Sequence, residues 1–244
     1  MANKIKRNWT VAALFLAPSI IAFLIFKYYP LLEAVRMAFF DYDVLNPPGA
    51  FVGLQNFIDA LASTQFQNAF KNTLILFLLY MGLGFWVPAV QAVLLNVIRG
   101  RGRGIFQYLY LMAMSLPMIA GYVIWKWIWH PDYGLANAIL RRFGMGPLGW
   151  LTDPGMVKLT LRLPLLLGGG FAIMYYLAAI ENTPKDVYEA AIMDGASLWQ
   201  QCWWITIPTM WPVVIINFIM ALANSLLVFN DVLVMTQGGP AGAS

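Results

Sequence analysis

The side chains that could perform acid–base, nucleophilic or metal chemistry are few in this chain of 244 residues. The single histidine, His130, has no second histidine to complete a metal site, so a solvated or structural role is the simpler interpretation. The single cysteine, Cys202, cannot form an internal disulfide bond or a thiolate metal cluster. No Gly-Lys dipeptide, Gly-x-Ser-x-Gly or His-Glu-x-x-His motif is present. We therefore expect no catalytic or metal-binding residue, and any ATP that drives this protein must be hydrolysed by another chain.

One polar segment, residues 181–208, carries closely spaced helix start and stop signals. Thr183 can cap a helix whose first position is Pro184, and Asp186 can close a capping box with that threonine. Gly195 suits the left-handed residue that ends a helix. The sequence thus predicts a short helix that stops abruptly at this glycine.

A second helix is predicted to begin directly after the turn. Ser197 and Gln200 have the spacing of another capping box, and the chain then runs into an apolar stretch at Pro208. The segment is therefore predicted to fold as a helix, a glycine turn and a second helix.

The first of these helices has one face suited to contact with a partner. Tyr188, Ala191 and Ile192 fall on one side at helical spacing, and the small Ala190 and Ala191 allow a close approach of another backbone. Such a helix, held between two spans, could transmit a displacement by a partner as a rigid body. It could equally be an amphipathic helix that only connects its neighbours, and the residues alone leave both interpretations open.

The elements on either side of this segment are predicted to be membrane spans. Hydrophobic residues make up 61% of the chain and charged residues only 11%, against about 25% in an average soluble domain. A water-soluble enzyme is therefore disfavoured. The net charge of +4 is small for a nucleic-acid-binding protein, and the charged residues are too sparse to form a basic surface stripe. Because a helix needs roughly 20 apolar residues to cross a bilayer, we predict five spans in the charge-free runs Asn8–Phe26, Asn72–Ile98, Gly104–Trp125, Leu163–Ile180 and part of Gly195–Asn230.

Dense basic clusters predict the orientation of the spans. Lys4, Lys6 and Arg7 precede the first run, and three arginines alternate with glycines over residues 99–104. By the positive-inside rule both clusters are cytoplasmic, as is the segment 181–194, whereas residues 27–71 and 126–162 face outward. The last residues, 238–244, are rich in turn formers and are predicted to be an outer loop before a further helix.

The segment 181–208 resembles the EAA loop of ABC-importer permeases, whose pattern is Glu-Ala-Ala, three residues, Gly, nine residues and Ile-x-Leu-Pro. Ile207 replaces the usual leucine, which is a conservative departure. The positions that match the pattern are Glu189, Ala190, Ala191, Gly195, Ile205 and Pro208.

Other parts of the chain are similar to the carbohydrate branch of these permeases, in particular its first maltose-type subunit. The resemblance runs from about Leu16 to Gly239, and in that family a sixth span follows. It implies an all-α polytopic bundle of the type I importer kind, with five spans present and a sixth missing. The matching residues are Phe51–Phe57, Asn72, Thr73, Leu116, Pro117, Trp125, Gly134, Asn137 and Gly238–Pro240.

The resemblance implies a domain organisation and a location. Residues 1–7 form a cytoplasmic N-terminus, residues 8–237 a transmembrane permease domain with coupling helices at 184–207, and residues 238–244 a truncated outer loop. The expected location is a bacterial-type inner membrane, crossed several times.

The resemblance also implies a set of partners. They are a second homologous permease subunit, two cytoplasmic ATPase subunits that bind ATP and magnesium, an external solute-binding protein, a sugar and membrane lipid, with no nucleic acid and no cofactor on this chain. The residues expected to couple to an ATPase are Tyr188, Glu189, Ala190, Ala191, Asp194, Gly195, Ile205 and Pro208.

Polar residues within the spans are the candidates for contact with substrate, because burying them is costly. In the resembled family such contacts come from the fourth and fifth spans. Their distance in sequence from the family motif selects Gly168 and Phe171 in the fourth span. In or near the fifth span the candidates are Asn224, Ser225 and Asn230. For each polar residue a hydrogen bond between helices is an equally good explanation. Asp231 is expected to remain hydrated near the outer interface.

Three alternatives to a sugar permease are open at this stage. An ABC permease for another solute, such as glycerol phosphate or an amino acid, would carry the same motif. A membrane-embedded enzyme would need clustered carboxylates or histidines, and an ion-coupled transporter would need buried acids near mid-membrane. The predicted spans offer little of either.

Overall fold

The computed structural model describes residues 2–42, 49–98, 101–167 and 170–244, and these residues are almost entirely helical. The chain divides into two compact units, residues 1–67 and 68–244. An all-α fold is therefore confirmed for the described residues.

The first unit begins with helix α1 (Ala2–Phe23), continues through a π-helical segment (Leu24–Tyr28) into α2 (Tyr29–Met37) and later contains α3 (Gln55–Ala62). The apolar helix does not end at Phe26 as predicted but continues past Lys27, because the π-helical segment leads directly into α2 with Pro30 in its first turn. Proline is tolerated there because the first turn of a helix needs no intrahelical donor.

Asn56 holds together the loop that precedes α3. Its side-chain Nδ2 donates hydrogen bonds to the carbonyls of Ala38 at 3.0 Å and Phe40 at 2.8 Å. Phe40 also forms an isolated antiparallel bridge with Phe51. The motif-like stretch 51–57 thus has a local structural role, since it closes the end of α2 against the start of α3.

The second unit contains all but the first turn of α4 (Thr64–Leu79). A π-helical segment (Tyr80–Gly84) follows, and α5 (Val87–Val97) completes a long bent helix. The remaining helices are α6 (Arg101–Met114), α7 (Met118–Ile128), α8 (Leu135–Arg142), α9 (Val157–Arg162), α10 (Gly170–Glu181), α11 (Lys185–Met193), α12 (Leu198–Gln201), α13 (Ile207–Ser225) and α14 (Asn230–Met235).

Four helical stretches of the described residues are long and apolar enough to cross a membrane, namely Trp9–Met37, Thr64–Val97, Val157–Glu181 and Leu198–Ser225. The predicted third span, 104–125, is not one helix. It is divided between α6 and the shorter apolar α7, because Pro117 disfavours helical geometry at Leu116 and caps α7 with extended dihedral angles.

Two apolar clusters hold the second unit together. In the first, buried side chains of α10 pack between α5 and α13, with Ala92, Ile173, Tyr176 and Met210 near its centre. The second cluster joins α4, α7, α9 and α14 through Leu76, Trp129, Val157, Leu161 and Met235. Because each cluster draws on helices distant in the chain, the bundle is fixed by tertiary packing rather than by helix propensity.

Asn137 organises the loop around α8. Its fully buried side chain donates to the carbonyls of Pro131 and Leu148, and its Oδ1 accepts from the Leu148 N–H and the Trp150 Nε1–H at 2.8–3.0 Å. Nearby, a Cβ on Gly134 would lie 2.3 Å from the His130 carbonyl oxygen, so only glycine fits. These contacts join the end of α7 to the loop that leads to α9.

Candidate functional site

The predicted helix–turn–helix is present at residues 184–207, but its first cap differs from the prediction. Pro184 is the N-cap of α11, with φ −55° and ψ 136°, and no side chain caps the helix. Thr183 lies one residue too early to reach the free N–H groups, and its Oγ1 is buried without a hydrogen-bond partner. The capping box of Thr183 and Asp186 was therefore a wrong prediction.

The glycine turn that ends α11 is confirmed. Gly195 has φ +76°, its N–H donates to the Ile192 carbonyl at 3.0 Å, and the Ala196 N–H donates to the Ala191 carbonyl at 2.9 Å. This pair of bonds is the Schellman arrangement, which satisfies the last carbonyls of a helix. A Cβ at Gly195 would meet nothing within 4 Å, so the backbone conformation alone calls for glycine.

The second capping box is also confirmed. The Gln200 N–H donates to Ser197 Oγ at 3.3 Å, and the Ser197 N–H donates to Gln200 Oε1 at 2.8 Å. Helix α12 therefore begins directly after the turn. A π-helical segment (Cys202–Thr206) then leads into α13, with Pro208 in the first turn.

Helix α11 is mostly exposed in the part of the chain that the structure describes. None of its residues is buried, and the side chains of Glu189 and Ala190 are exposed. In the part of the chain that the structure describes, no ion pair involves a charged residue of α11. The helix therefore presents small residues flanked by free carboxylates, a surface that can fit a cleft of another protein.

On its inner side, α11 is attached to the start of α13. The Tyr188 hydroxyl and Thr206 Oγ1 share a hydrogen bond of 3.0 Å. A cleft of about 290 Å³ lies beside this bond, between α11, α5, α12 and the π-helical segment. Its lining residues are Val93, Asn96, Val97, Tyr188, Ile192, Leu198, Gln201, Cys202 and Thr206. Helix α11 is thus hydrogen-bonded to the residue directly before α13, with open space beside this bond.

The predicted basic loop is close to this site. Arg99 and Gly100 lie outside the described residues, but Arg103 forms an ion pair with Glu181 at the end of α10. The start of α6 and the end of α10 therefore lie at the same end of the second unit.

The residues predicted to contact substrate do not converge on one described cavity. Gly168 lies outside the described residues. Phe171 is 65% exposed on α10, and the side chains of Asn224 and Asn230 are also exposed. Ser225 is buried, and its hydroxyl donates to the Leu222 carbonyl within its own helix at 3.4 Å. Their role stays a prediction.

An interaction that the sequence reasoning missed joins α9 to α14. Arg162 Nη1 donates to Asp231 Oδ2 at 2.7 Å, and the two residues are only 6% and 7% exposed. Asp231 is therefore buried and paired, which corrects the expectation that it stays hydrated. Arg162 was treated as the boundary of a span, but an arginine in an apolar stretch requires a counter-charge, and this requirement could have pointed to Asp231.

Metal-ligating side chains do not gather into a candidate metal site in the part of the chain that the structure describes. Among the described residues, no group of three histidine, cysteine, aspartate or glutamate side chains could hold a metal ion. What the arrangement offers is mechanical: an exposed helix, a fixed turn and a hydrogen bond to a long apolar helix.

Comparison with known proteins places this geometry in a family. Residues 83–242 match the family of binding-protein-dependent transport system inner membrane components. A probable ABC transporter permease of Pyrococcus horikoshii is 30% identical over 230 residues, which cover 93% of this chain and 78% of that protein.

Two further relatives cover almost the whole chain. The trehalose/maltose transport system permease MalF of Thermococcus litoralis is 28% identical, with 100% of this chain and 83% of that protein covered. The crystal structure of a bacterial ABC transporter involved in the import of the acidic polysaccharide alginate contains a chain that superposes with a TM-score of 0.86 at 29% identity, covering 99% of this chain and 81% of that one.

The helix–glycine–helix spacing, the apolar spans and these similarities agree. The chain belongs to the family of binding-protein-dependent transport system inner membrane components and is a multi-pass, non-catalytic permease subunit of an ABC importer.

Proposed function

We propose that this permease subunit forms half of a sugar-translocating pore and that α11 is the helix through which an ATPase subunit moves it. The proposal rests on the different contacts made by the two sides of α11. Its outer surface is exposed and forms no ion pair with any described residue, and its inner side is hydrogen-bonded through Tyr188 to Thr206, directly before α13. The spacing of Glu189, Ala190, Ala191 and Gly195, which matches the EAA loop, favours a coupling helix over a helix that only connects two spans.

The partners follow from this arrangement. A second homologous permease subunit completes the pore, two cytoplasmic ATPase subunits each receive one coupling helix, and an external solute-binding protein delivers the sugar. ATP and magnesium bind to the ATPase subunits. Closure of the ATPases on ATP displaces α11 and favours the outward-facing pore, and release of the nucleotide favours the inward-facing one.

The orientation proposed is cytoplasmic for residues 1–7, 99–104 and 181–194. The ion pair between Arg103 and Glu181 supports a common side for the last two segments. The basic residues of the first and second segments support the cytoplasm as that side. We propose that α6 and α7 together cross the membrane as one broken span, which gives five spans in this chain.

Sugar is the proposed substrate class because relatives that align over nearly the whole chain are named for sugar transport. Phe171 supports this, since an exposed aromatic ring can stack on the weakly apolar face of a sugar. Exposed amides such as Asn224 and Asn230 can donate to and accept from hydroxyl groups. Gly168 and Ser225 complete the proposed substrate region.

Uptake and assembly measurements test the two halves of the proposal. The complex with its ATPase, its second permease and its solute-binding protein is placed in proteoliposomes and offered labelled maltose, trehalose, sn-glycerol 3-phosphate or glutamine. ATP-dependent uptake of a sugar supports the substrate class. Uptake of only glycerol phosphate or glutamine contradicts it and leaves the ABC permease assignment intact.

The coupling assignment is tested by blocking the exposed surface of α11. Ala190→Trp adds an indole to the proposed interface, whereas Ala138→Trp adds one to the exposed side of α8 and serves as the control. We expect Ala190→Trp to lose co-purification with the ATPase and the control to retain it, with equal amounts of both variants in the membrane. Full co-purification of both variants would contradict the assignment.

A further inference from the structure

Helix α11 is joined to α13 in two ways. The backbone connection is the turn at residues 194–197, which leads into the continuous helical stretch Leu198–Ser225 that contains α12, the π-helical segment and α13. The side-chain connection is the single hydrogen bond between the Tyr188 hydroxyl and Thr206. Among the described residues, Tyr188 is the only member of α11 whose side chain forms a recorded hydrogen bond. This bond is therefore a direct route from the coupling helix to the long apolar helix.

Thr206 is well placed to receive a displacement. It is 3% exposed, lies at the end of the π-helical segment, and is immediately followed by α13. Its Oγ1 also donates to the Gln201 carbonyl at 3.4 Å. Gln201 directly precedes the π-helical segment, where the regular α-helical hydrogen-bond pattern is interrupted. The Gln201 amide in turn donates to the Ala196 carbonyl at 2.9 Å, directly after the glycine turn.

These three bonds join α11, the glycine turn, α12 and the π-helical segment before α13 into one hydrogen-bonded unit. Beyond Thr206, the buried Met210 and Val214 of α13 pack in the cluster around α10. The cleft beside Tyr188 lies between α11, α5, α12 and the π-helical segment. A displacement of α11 therefore has a bonded path toward the start of α13 through Tyr188, with open space beside that bond.

We propose that Tyr188 and Thr206 are positioning residues that transmit the movement of α11 to α13, with Gln201 fixing the turn between them. This inference rests on the proposed function, because it requires that an ATPase moves α11. The Tyr188–Thr206 bond acts as a strut: it keeps the distance between the two helices constant while the nucleotide state changes.

The test uses the assembled complex in nanodiscs with Cys202→Ala, and with spin labels at Met193→Cys on α11 and Ile216→Cys on α13, both exposed positions. With the strut intact, the distance between the labels is the same without nucleotide and after trapping with ATP and vanadate. In Tyr188→Phe, which removes only the hydroxyl, this distance shifts or broadens on trapping. Tyr175→Phe, at an exposed tyrosine of α10, is the control and leaves it unchanged.

A functional readout separates transmission from folding. We expect stimulation of ATP hydrolysis by the solute-binding protein to fall roughly fivefold in Tyr188→Phe and in Thr206→Val, the value of one hydrogen bond. Thr206→Ser retains the hydroxyl and should restore the stimulation. If Tyr188→Phe does not assemble, the comparison of Thr206→Val with Thr206→Ser decides.

The outcomes distinguish this inference from the function on which it rests. If a crosslinker at Glu189 captures the ATPase but Tyr188→Phe and Thr206→Val keep a constant label distance and full stimulation, the strut is wrong and the coupling helix stands. If the crosslinker at Glu189 never captures the ATPase, the coupling function itself is wrong and the strut is wrong with it.

Discussion

Arg162 and Asp231 form a buried ion pair across 69 residues of sequence, with Nη1 and Oδ2 2.7 Å apart. The pair joins α9, at the start of one candidate span, to α14, which follows another. Two further nitrogen atoms of the guanidinium, Nε and Nη2, are buried and have no partner among the described residues. Each charge therefore depends on the other for most of its compensation.

This relationship predicts an asymmetric response to substitution. Asp231→Asn leaves the buried guanidinium uncompensated and should lower the free energy of unfolding by about 3–5 kcal/mol. The double variant Arg162→Met with Asp231→Leu removes both charges and should recover most of this loss. Denaturant unfolding in detergent measures both, and Asp132→Asn, at an exposed aspartate, is the control with little effect. Equal losses in the single and double variants would show that the ion pair does not act as a unit.

Gly195 should tolerate asparagine better than alanine. Because its φ is +76°, Gly195→Ala forces an L-residue into the left-handed region at a cost of about 1–2 kcal/mol, whereas asparagine adopts this conformation more readily. We expect weaker ATPase association in Gly195→Ala, partial rescue in Gly195→Asn and unchanged membrane insertion in both. The control is Gly121→Ala, within α7, where a Cβ meets nothing within 4 Å. Wild-type association of Gly195→Ala would contradict the proposed importance of the turn.

Thr183 and Ser197 should respond in opposite ways to the loss of their hydroxyl groups. Thr183 Oγ1 is buried without a partner, so Thr183→Val should be neutral or stabilising by up to about 1 kcal/mol. Ser197 caps α12, so Ser197→Ala should destabilise by about 1 kcal/mol. Thermal unfolding of the two variants in the same detergent makes the comparison. A destabilised Thr183→Val would indicate that Thr183 does cap α11.

Asn137 should be the polar residue of the α8 loop that is least tolerant of substitution. Asn137→Ala leaves two carbonyls and two N–H groups at part-buried positions without their partner, and we expect a loss of about 3 kcal/mol. Because Trp150 Nε1 loses its acceptor, the tryptophan emission should also change. Asn182→Ala, at an exposed asparagine, is the control. An unchanged stability of Asn137→Ala would show that the loop is held by packing alone.

The parts of the site that could be predicted from sequence are those fixed by neighbouring residues. The turn at Gly195 and the capping box of Ser197 and Gln200 involve groups within five positions of each other, so their spacing determines the structure. The predicted cap of α11 by Thr183 was wrong for a local reason as well, because the extended conformation of Pro184 places Thr183 outside the first turn.

The parts that could not be predicted depend on distant residues. Arg162 marks the end of an apolar run when only the sequence is considered, and its partner lies 69 positions away. The Tyr188–Thr206 bond joins residues 18 apart across a turn and a π-helical segment, which no helical periodicity anticipates. The break at Pro117 could have been predicted from the sequence, because the residue before a proline avoids helical dihedral angles. It was missed because the span was assigned only from the absence of charged residues.

The most direct measurement of the central claim is site-specific photocrosslinking from α11 in the assembled importer. A benzophenone amino acid is placed at Glu189, and a control is placed at the exposed Arg142 of α8. The account predicts a crosslink from Glu189 to the ATPase subunit, with an intensity that changes between the nucleotide-free and the ATP-trapped complex, and none from Arg142. A Glu189 probe that labels only lipid, or the second permease, in both nucleotide states would contradict the account.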